Sequence, residues 1–311
     1  MRVVNAAAPA AASSRPDVSA LVAGVFTVTL WGSAFVGIRA AGAAFSPGSL
    51  ALARLLVSVV LLSAVALLRR DPLPARRDLI AIAVYGVLWL AIYSTALNAA
   101  ERIVDAGTAA LLVNVGPIVV AILAGTFLRE GFPRRLFAGC AIAFVGCTLI
   151  GFATAQTRSG AAIGIALLAV AVVAYSTAIV VQKPVLGRVP AFQVTWIGVV
   201  AATIACLPFA PALVAEVSKA GAGAIAWTIY LGAFPTAIGF ASWAYALGRT
   251  PAGQLSTLTY LAPVVAVLLS WIMLGEAPPL VALVGGALAL AGVYYARRTP
   301  AKVKPTRVSS V

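Results

Sequence analysis

Between residues 19 and 296 the sequence is a succession of apolar runs, each about 20 residues long, separated by short polar joints. A run of this length, wound as an α-helix, matches the hydrocarbon thickness of a bilayer. The runs fall at roughly 19–38, 48–68, 78–99, 106–128, 135–152, 161–182, 191–210, 223–247, 252–273 and 280–296. They predict an all-α membrane protein with ten transmembrane helices. A β-barrel would need alternating apolar and polar residues in ~10-residue segments, whereas these runs are continuous and rich in Ala, Leu and Val. Composition argues against a soluble fold as well: 62% of the residues are hydrophobic, 10% are charged and the mean hydropathy is +1.06. Soluble domains carry ~25% charged residues, and a water-soluble chain of this length could not hide so much apolar surface.

Charge sets the orientation. The net charge of +14 would suit nucleic acid if the basic residues shared one face, but they follow the loops instead. With the N-terminus in the cytoplasm, the inner loops and tails carry 17 of the 22 basic residues, including Arg69, Arg70, Arg76, Arg77, Arg129, Arg134, Arg135, Lys183, Arg188 and Arg249. The outer loops hold only Arg39, Arg102, Arg158 and Lys219, and Arg54 lies inside the second run. The eight acidic residues divide evenly between the two sides, as expected when positive charge alone decides orientation. Both termini are therefore expected inside a bacterial inner membrane, with no nucleic-acid partner. Residues 1–18 contain no stretch apolar enough for a secretion signal and read as a short disordered tail; residues 299–311 read as a basic cytoplasmic tail. Cys140, Cys147 and Cys206 all lie in apolar runs and read as packing residues.

Two phrases echo each other. Residues 114–133 read NVGPIVVAILAGTFLREGFP and residues 260–279 read YLAPVVAVLLSWIMLGEAPP. At an offset of 146, Gly107 falls on Gly253, Pro117 on Pro263, Glu130 on Glu276, Pro133 on Pro279, Gly139 on Gly285 and Gly146 on Gly292. At an offset of 144, WGSA at 31–34 falls on YSTA at 175–178 and Arg39 on Lys183. The chain thus divides into halves, 19–152 and 161–298. Each half holds five runs, an odd number, so the second enters the membrane from the opposite side. Inverted repeats of this kind are a transporter design, although a duplicated bundle need not transport.

The ten-helix count, WGSAF in the first helix, Arg54 in the second, the proline followed by glutamate in helices 4 and 9, and the Gly-spaced helices 5 and 10 resemble the drug/metabolite transporter superfamily. Within it, the EamA family and its YddG-like amino-acid exporters are the nearest likeness. Arg129-Glu130 stands where the second copy has Gly275-Glu276. The resemblance implies that helices 1, 3, 4, 6, 8 and 9 surround a central cavity, and that the substrate is a small metabolite such as an amino acid, aromatic or otherwise neutral, moved outward by alternating access.

Chemistry at membrane depth is sparse. The chain has no histidine, which removes His-based triads and His-ligated metals. No run holds a deep Asp or Glu, which removes an intramembrane carboxylate dyad and the simplest proton relay. No enzyme activity and no cofactor are expected, and transport reads as facilitated diffusion or exchange. Tyr85, Trp89 and Tyr93 recur every four residues on helix 3, and Asn98 lies about one turn further with Ser94 and Thr95 nearby. With Trp31, Ser33, Asn114, Tyr175, Trp243 and Tyr260, the residues Tyr85, Trp89 and Asn98 form the expected substrate-binding set; each could instead pack. Trp and Tyr offer an apolar face with a polar tip, which suits amphiphilic solutes. Pro117, Pro235 and Pro263 each remove an N–H and mark hinges or fixed bends. Arg54 reads either as a substrate-carboxylate contact or gate, or as a structural donor that snorkels to the interface. Trp227, Trp271, Tyr294 and Tyr295 read as an interfacial belt. The sequence fits a monomer and a homodimer equally, and leaves open an exporter of drugs or other amphiphiles, a channel or a membrane scaffold.

Overall fold

A computed structural model describes residues 17–103, 112–154, 161–274 and 280–298. The tails, Gly107, Glu276, Pro279 and the side chain of Trp271 lie outside the described residues. The helices are α1 (Val18–Gly42), α2 (Pro47–Arg69), α3 (Arg76–Ala100), α4 (Gly116–Phe127), α5 (Arg134–Thr154), α6 (Ala161–Val185), α7 (Ala191–Val217), α8 (Ala222–Arg249), α9 (252–274) and α10 (Leu280–Arg297). Among the described residues no strand is present, and α1–α3 and α6–α10 are long and apolar enough to cross a membrane. Val18, expected in the tail, already opens α1, because the Asp17 carboxylate accepts from Ala20 N–H at 3.1 Å and caps the first turn.

The apolar surface points outward. Val60, Leu67, Leu68, Val173, Ile204, Ile272 and Leu280 are exposed along the flanks of the helices, as lipid-facing residues should be. Inside, close approach depends on small residues, the usual interface of membrane helices. The tightest approach joins α5 to α10. A Cβ at Gly146 would sit 2.5 Å from Gly285 O and from Ala289 N, and one at Gly139 would sit 2.6 Å from Ala296 N. As residue numbers rise along α5 they fall along α10, so the two helices run antiparallel.

Two helices change their winding midway. α3 is π-helical over Gly86–Tyr93 and α8 over Gly232–Ile238. Each widened stretch opens on a glycine laid against another helix: a Cβ at Gly86 would lie 2.8 Å from Gly198 Cα on α7, and a Cβ at Gly232 would lie 2.7 Å from Arg54 O on α2. A π stretch leaves carbonyls poorly paired along its helix. Ser58 Oγ donates to Gly232 O at 2.7 Å, and Thr236 Oγ1 donates to Leu231 O at 2.7 Å.

The prolines sit at breaks in the helices. Pro117 occupies the first turn of α4, just after a turn at Asn114–Val115, and Pro263 occupies the first turn of Leu261–Leu274, just after a 3-10 stretch at Thr257–Tyr260. Pro235 lies inside the π segment of α8. A residue without an N–H is tolerated where a helix starts or its pairing is already interrupted.

Candidate functional site

Where the helices converge at mid-depth, a cavity of about 110 Å³ lies between Trp31, Ala34 and Ile38 of α1, Arg54 of α2, Trp89, Tyr93, Ser94, Leu97 and Asn98 of α3, Val113 and Asn114 before α4, Tyr175 of α6, Phe240 of α8, and Thr259, Ala262 and Pro263 of α9. These positions occupy the half of α1 and the half of α3 that lie away from the chain termini. The cavity is therefore displaced toward the face opposite the termini.

Its floor is aromatic. Trp89 is the hub, with ring centroids 5.7 Å from Trp31, 6.0 Å from Tyr175, 5.1 Å from Phe240 and 5.9 Å from Trp243. Most of these pairs are edge-on or tilted, the geometry that ring quadrupoles favour. Trp31 is pinned by its Nε1–H, which donates to Pro235 O at 3.2 Å, a carbonyl of the π segment. Tyr93 stands edge-on to Tyr175 at 5.4 Å and carries the aromatic surface up the wall.

The polar wall is short. Arg54 is buried and its Nη2 donates to Thr236 Oγ1 at 3.0 Å. Asn98 is 5% exposed; its Nδ2 donates to Pro47 O at 3.1 Å, while its Oδ1 has no partner among the described residues. Pro47 O can only accept, so the amide orientation is fixed. Asn114 is buried at the turn before α4. Among the described residues no acidic side chain lines the cavity.

Below the floor, toward the termini, the bundle is sealed. Trp243, Tyr85 and Tyr260 are fully buried. The Tyr85 hydroxyl, the Gln182 amide and Trp243 Nε1 lie in this layer without a well-formed hydrogen bond among the described residues. Beneath them Lys183 Nζ donates to the carbonyls of Leu247 and Thr250. Arg188 donates from Nε and Nη2 to Asp78 Oδ1, at 3.2 and 2.6 Å, and this contact raises the affinity of the Arg188 guanidinium for its proton. The Glu130 carboxylate accepts from Ala252 N–H at 2.7 Å and Gly253 N–H at 3.0 Å, so it caps α9.

Of the residues expected from sequence, Trp31, Trp89, Asn98, Asn114, Tyr175, Arg54 and Pro263 share the cavity wall. Tyr85, Trp243 and Tyr260 lie in the packed layer below it. Ser33 Oγ pairs with Tyr230 OH at 2.6 Å, away from the cavity. Pro117 and Pro235 do not line the wall, but their carbonyls accept from Ser256 and Trp31. Sequence reasoning did not select Phe240 or Thr259. Phe240 lies one turn before Trp243 on α8, and that spacing alone places it on the same face.

The described residues form an all-helical bundle with an apolar outer surface around an aromatic and amide-lined cavity, the architecture of a membrane carrier. The comparisons with known proteins agree. The sequence model of the EamA-like transporter family matches residues 18–152 and again 162–298, and the chain belongs to that family. It is 38% identical, over 88% of this chain and 92% of the relative, to the "Probable terminal-alkyne amino-acid exporter" of Streptantibioticus cattleyicolor. It is 26% identical, over 61% of this chain and 66% of the relative, to the "Probable amino-acid metabolite efflux pump" of Salmonella typhimurium. A crystal structure at 20% identity shares the fold, with a TM-score of 0.75 over 89% of this chain and 98% of that one.

Proposed function

We propose that this protein exports small neutral amino acids across a bacterial inner membrane by alternating access, with the mid-depth cavity as its binding site. The observation that carries this reading is the cavity itself: an aromatic floor beneath a short polar wall that holds no carboxylate among the described residues. That lining suits a neutral or zwitterionic solute and offers a cationic drug no counter-charge. The names of the two relatives supply the amino-acid class and the outward direction.

In this reading ten helices cross the membrane, both termini face the cytoplasm, and residues 19–152 and 161–298 are inverted halves. Three features support the halves. Gly86 and Gly232 are 146 residues apart, the same offset as the repeated phrases, and each opens a π segment. α5 crosses α10 so that Gly139 faces Gly292 while Gly146 faces Gly285; this reciprocal pairing is what a two-fold axis between equivalent helices produces. The breaks before Pro117 and Pro263 are likewise equivalent. The layer of Tyr85, Gln182 and Trp243 would be the closed gate on the cytoplasmic side, and its poorly paired polar tips would gain hydration when that side opens. Because each chain has its own cavity, a monomer would suffice.

Counterflow in proteoliposomes tests this. Vesicles loaded with an unlabelled neutral amino acid should accumulate the labelled one transiently and saturably. Flux of cationic dyes without amino-acid flux, or non-saturating leak, would refute the reading.

A further inference from the structure

We infer that Arg54 and Asn98 form a head-group subsite that binds the α-carboxylate and α-ammonium of an amino acid, while the side chain rests on Trp31 and Trp89. The inference rests on the amino-acid reading above and gives its site a chemical selectivity.

Arg54 is seven residues into α2 from Pro47, roughly 10 Å along the helix at 1.5 Å per residue. A charge at that depth is costly and calls for a partner. Among the described residues Arg54 forms no ion pair, although the Glu101 carboxylate at the end of α3 lies close enough for its charge to act on Arg54. A guanidinium has five N–H donors, and one held only for structure would spread them over carbonyls. Among the described residues its one side-chain hydrogen bond goes to Thr236 Oγ1. Thr236 is a positioning residue: its own hydroxyl proton goes to Leu231 O, leaving its oxygen to accept from Arg54. Arg54 also lines a side pocket with Leu90 and Ser94 of α3 and Thr236 of α8. The remaining donors have the planar fork that carboxylates fit in bidentate fashion.

Asn98 is one turn beyond Ser94 on the same face of α3. Its Oδ1 is a buried acceptor without a donor, oriented by the bond from Nδ2 to Pro47 O. A buried acceptor left unmade is costly, and an ammonium carries three donors. Arg54 and Asn98 line the same cavity, so a position for an anion and a position for a cation lie across one gap. An amino-acid head group joined to both by hydrogen bonds bridges that gap, and its side chain then points toward the aromatic floor.

The test uses the wild-type full-length chain and four probes: L-norvaline, its methyl ester, butylamine and valerate. These keep the side-chain bulk and remove, in turn, the carboxylate charge, the whole carboxylate and the ammonium. Binding is read from the tryptophan fluorescence of the purified protein and from inhibition of amino-acid counterflow. Norvaline should bind about 10- to 100-fold more tightly than each of the other three, the ratio expected for losing a charged hydrogen bond. In Arg54→Gln, norvaline should weaken to the level of butylamine, with butylamine itself unchanged. In Asn98→Leu, norvaline should weaken to the level of valerate. If the ester or butylamine matches norvaline in the wild-type chain, Arg54 does not hold a carboxylate; if valerate matches it, Asn98 does not hold an ammonium. Either result overturns the subsite while leaving amino-acid transport intact. Absence of counterflow with every amino acid would instead overturn the function itself.

Discussion

The contact between α5 and α10 gives a prediction whose size follows from geometry. In Gly146→Ala the new methyl group would start 2.5 Å from Gly285 O and Ala289 N. Both are backbone atoms of a neighbouring helix, so no side chain can rotate away. Restoring an ordinary contact near 3.4 Å requires the helices to part locally by 3.4 − 2.5, or about 0.9 Å. A gap of that size forfeits a quarter to a half of the dispersion energy of the atoms along the seam, and overpacking of this kind costs ~1–3 kcal/mol. Replacing a helical glycine by alanine returns ~0.5–1 kcal/mol. The net loss is about 1–2 kcal/mol, or roughly 1.5–3 °C in Tm for a chain of this length. The control is Gly223→Ala on α8, where an added Cβ has nothing within 4 Å and stability should rise slightly. Reaction of a fluorogenic thiol reagent reports unfolding directly, because Cys140 and Cys147 are buried free thiols on α5. α5 and α10 contribute nothing to the cavity wall, so the KM for amino-acid counterflow should stay unchanged in the folded variant. A Tm for Gly146→Ala equal to or above that of Gly223→Ala would show that the two helices do not meet as described.

Glu130→Gln removes the negative charge from the N-terminal end of α9, where the carboxylate accepts from Ala252 and Gly253; thermal unfolding should show a loss of about 1 kcal/mol, and no loss would contradict the cap. Tyr85→Phe deletes a hydroxyl buried without a well-formed bond, so stability should rise by ~1 kcal/mol while counterflow slows, since the closed arrangement gains; unchanged turnover would separate this layer from the transport cycle. Asp78→Asn weakens the pair with Arg188, whose side chain is 44% exposed beside a carboxylate that is 6% exposed, so the stability loss should shrink in high salt; a salt-insensitive loss would contradict an ion pair open to solvent on the arginine side.

Helix placement was legible because lipid and apolar side chains leave an unbroken signal: the expected runs at 48–68 and 78–99 became Pro47–Arg69 and Arg76–Ala100. The π segments were not legible in the apolar pattern, since Gly86–Tyr93 and Gly232–Ile238 are built from the same kinds of residue as ordinary membrane helix. Only the offset between Gly86 and Gly232, equal to that of the repeated phrases, marked them. Site residues were legible as a class and not as positions. In a helix apolar on every face, periodicity cannot tell a wall from a seam, so Trp89 and Tyr85, four residues apart, looked alike. One is the hub of the cavity floor and the other is buried beneath it. Arg54 was visible at once because a charge at depth is rare, but its partner Thr236 needed the fold, since 182 residues separate them.

The most direct test of the account is the reach of a single thiol at the cavity wall. Ala34→Cys, placed in a chain whose three native cysteines are replaced by alanine, lines the cavity without carrying its polar contacts. A membrane-impermeant thiol reagent should label it in sealed vesicles from one face or the other in turn, with added amino acid shifting the balance between the two. Labelling from a single face under every condition, or from both faces together with a leak of small ions, would contradict a cavity that alternates between the two sides.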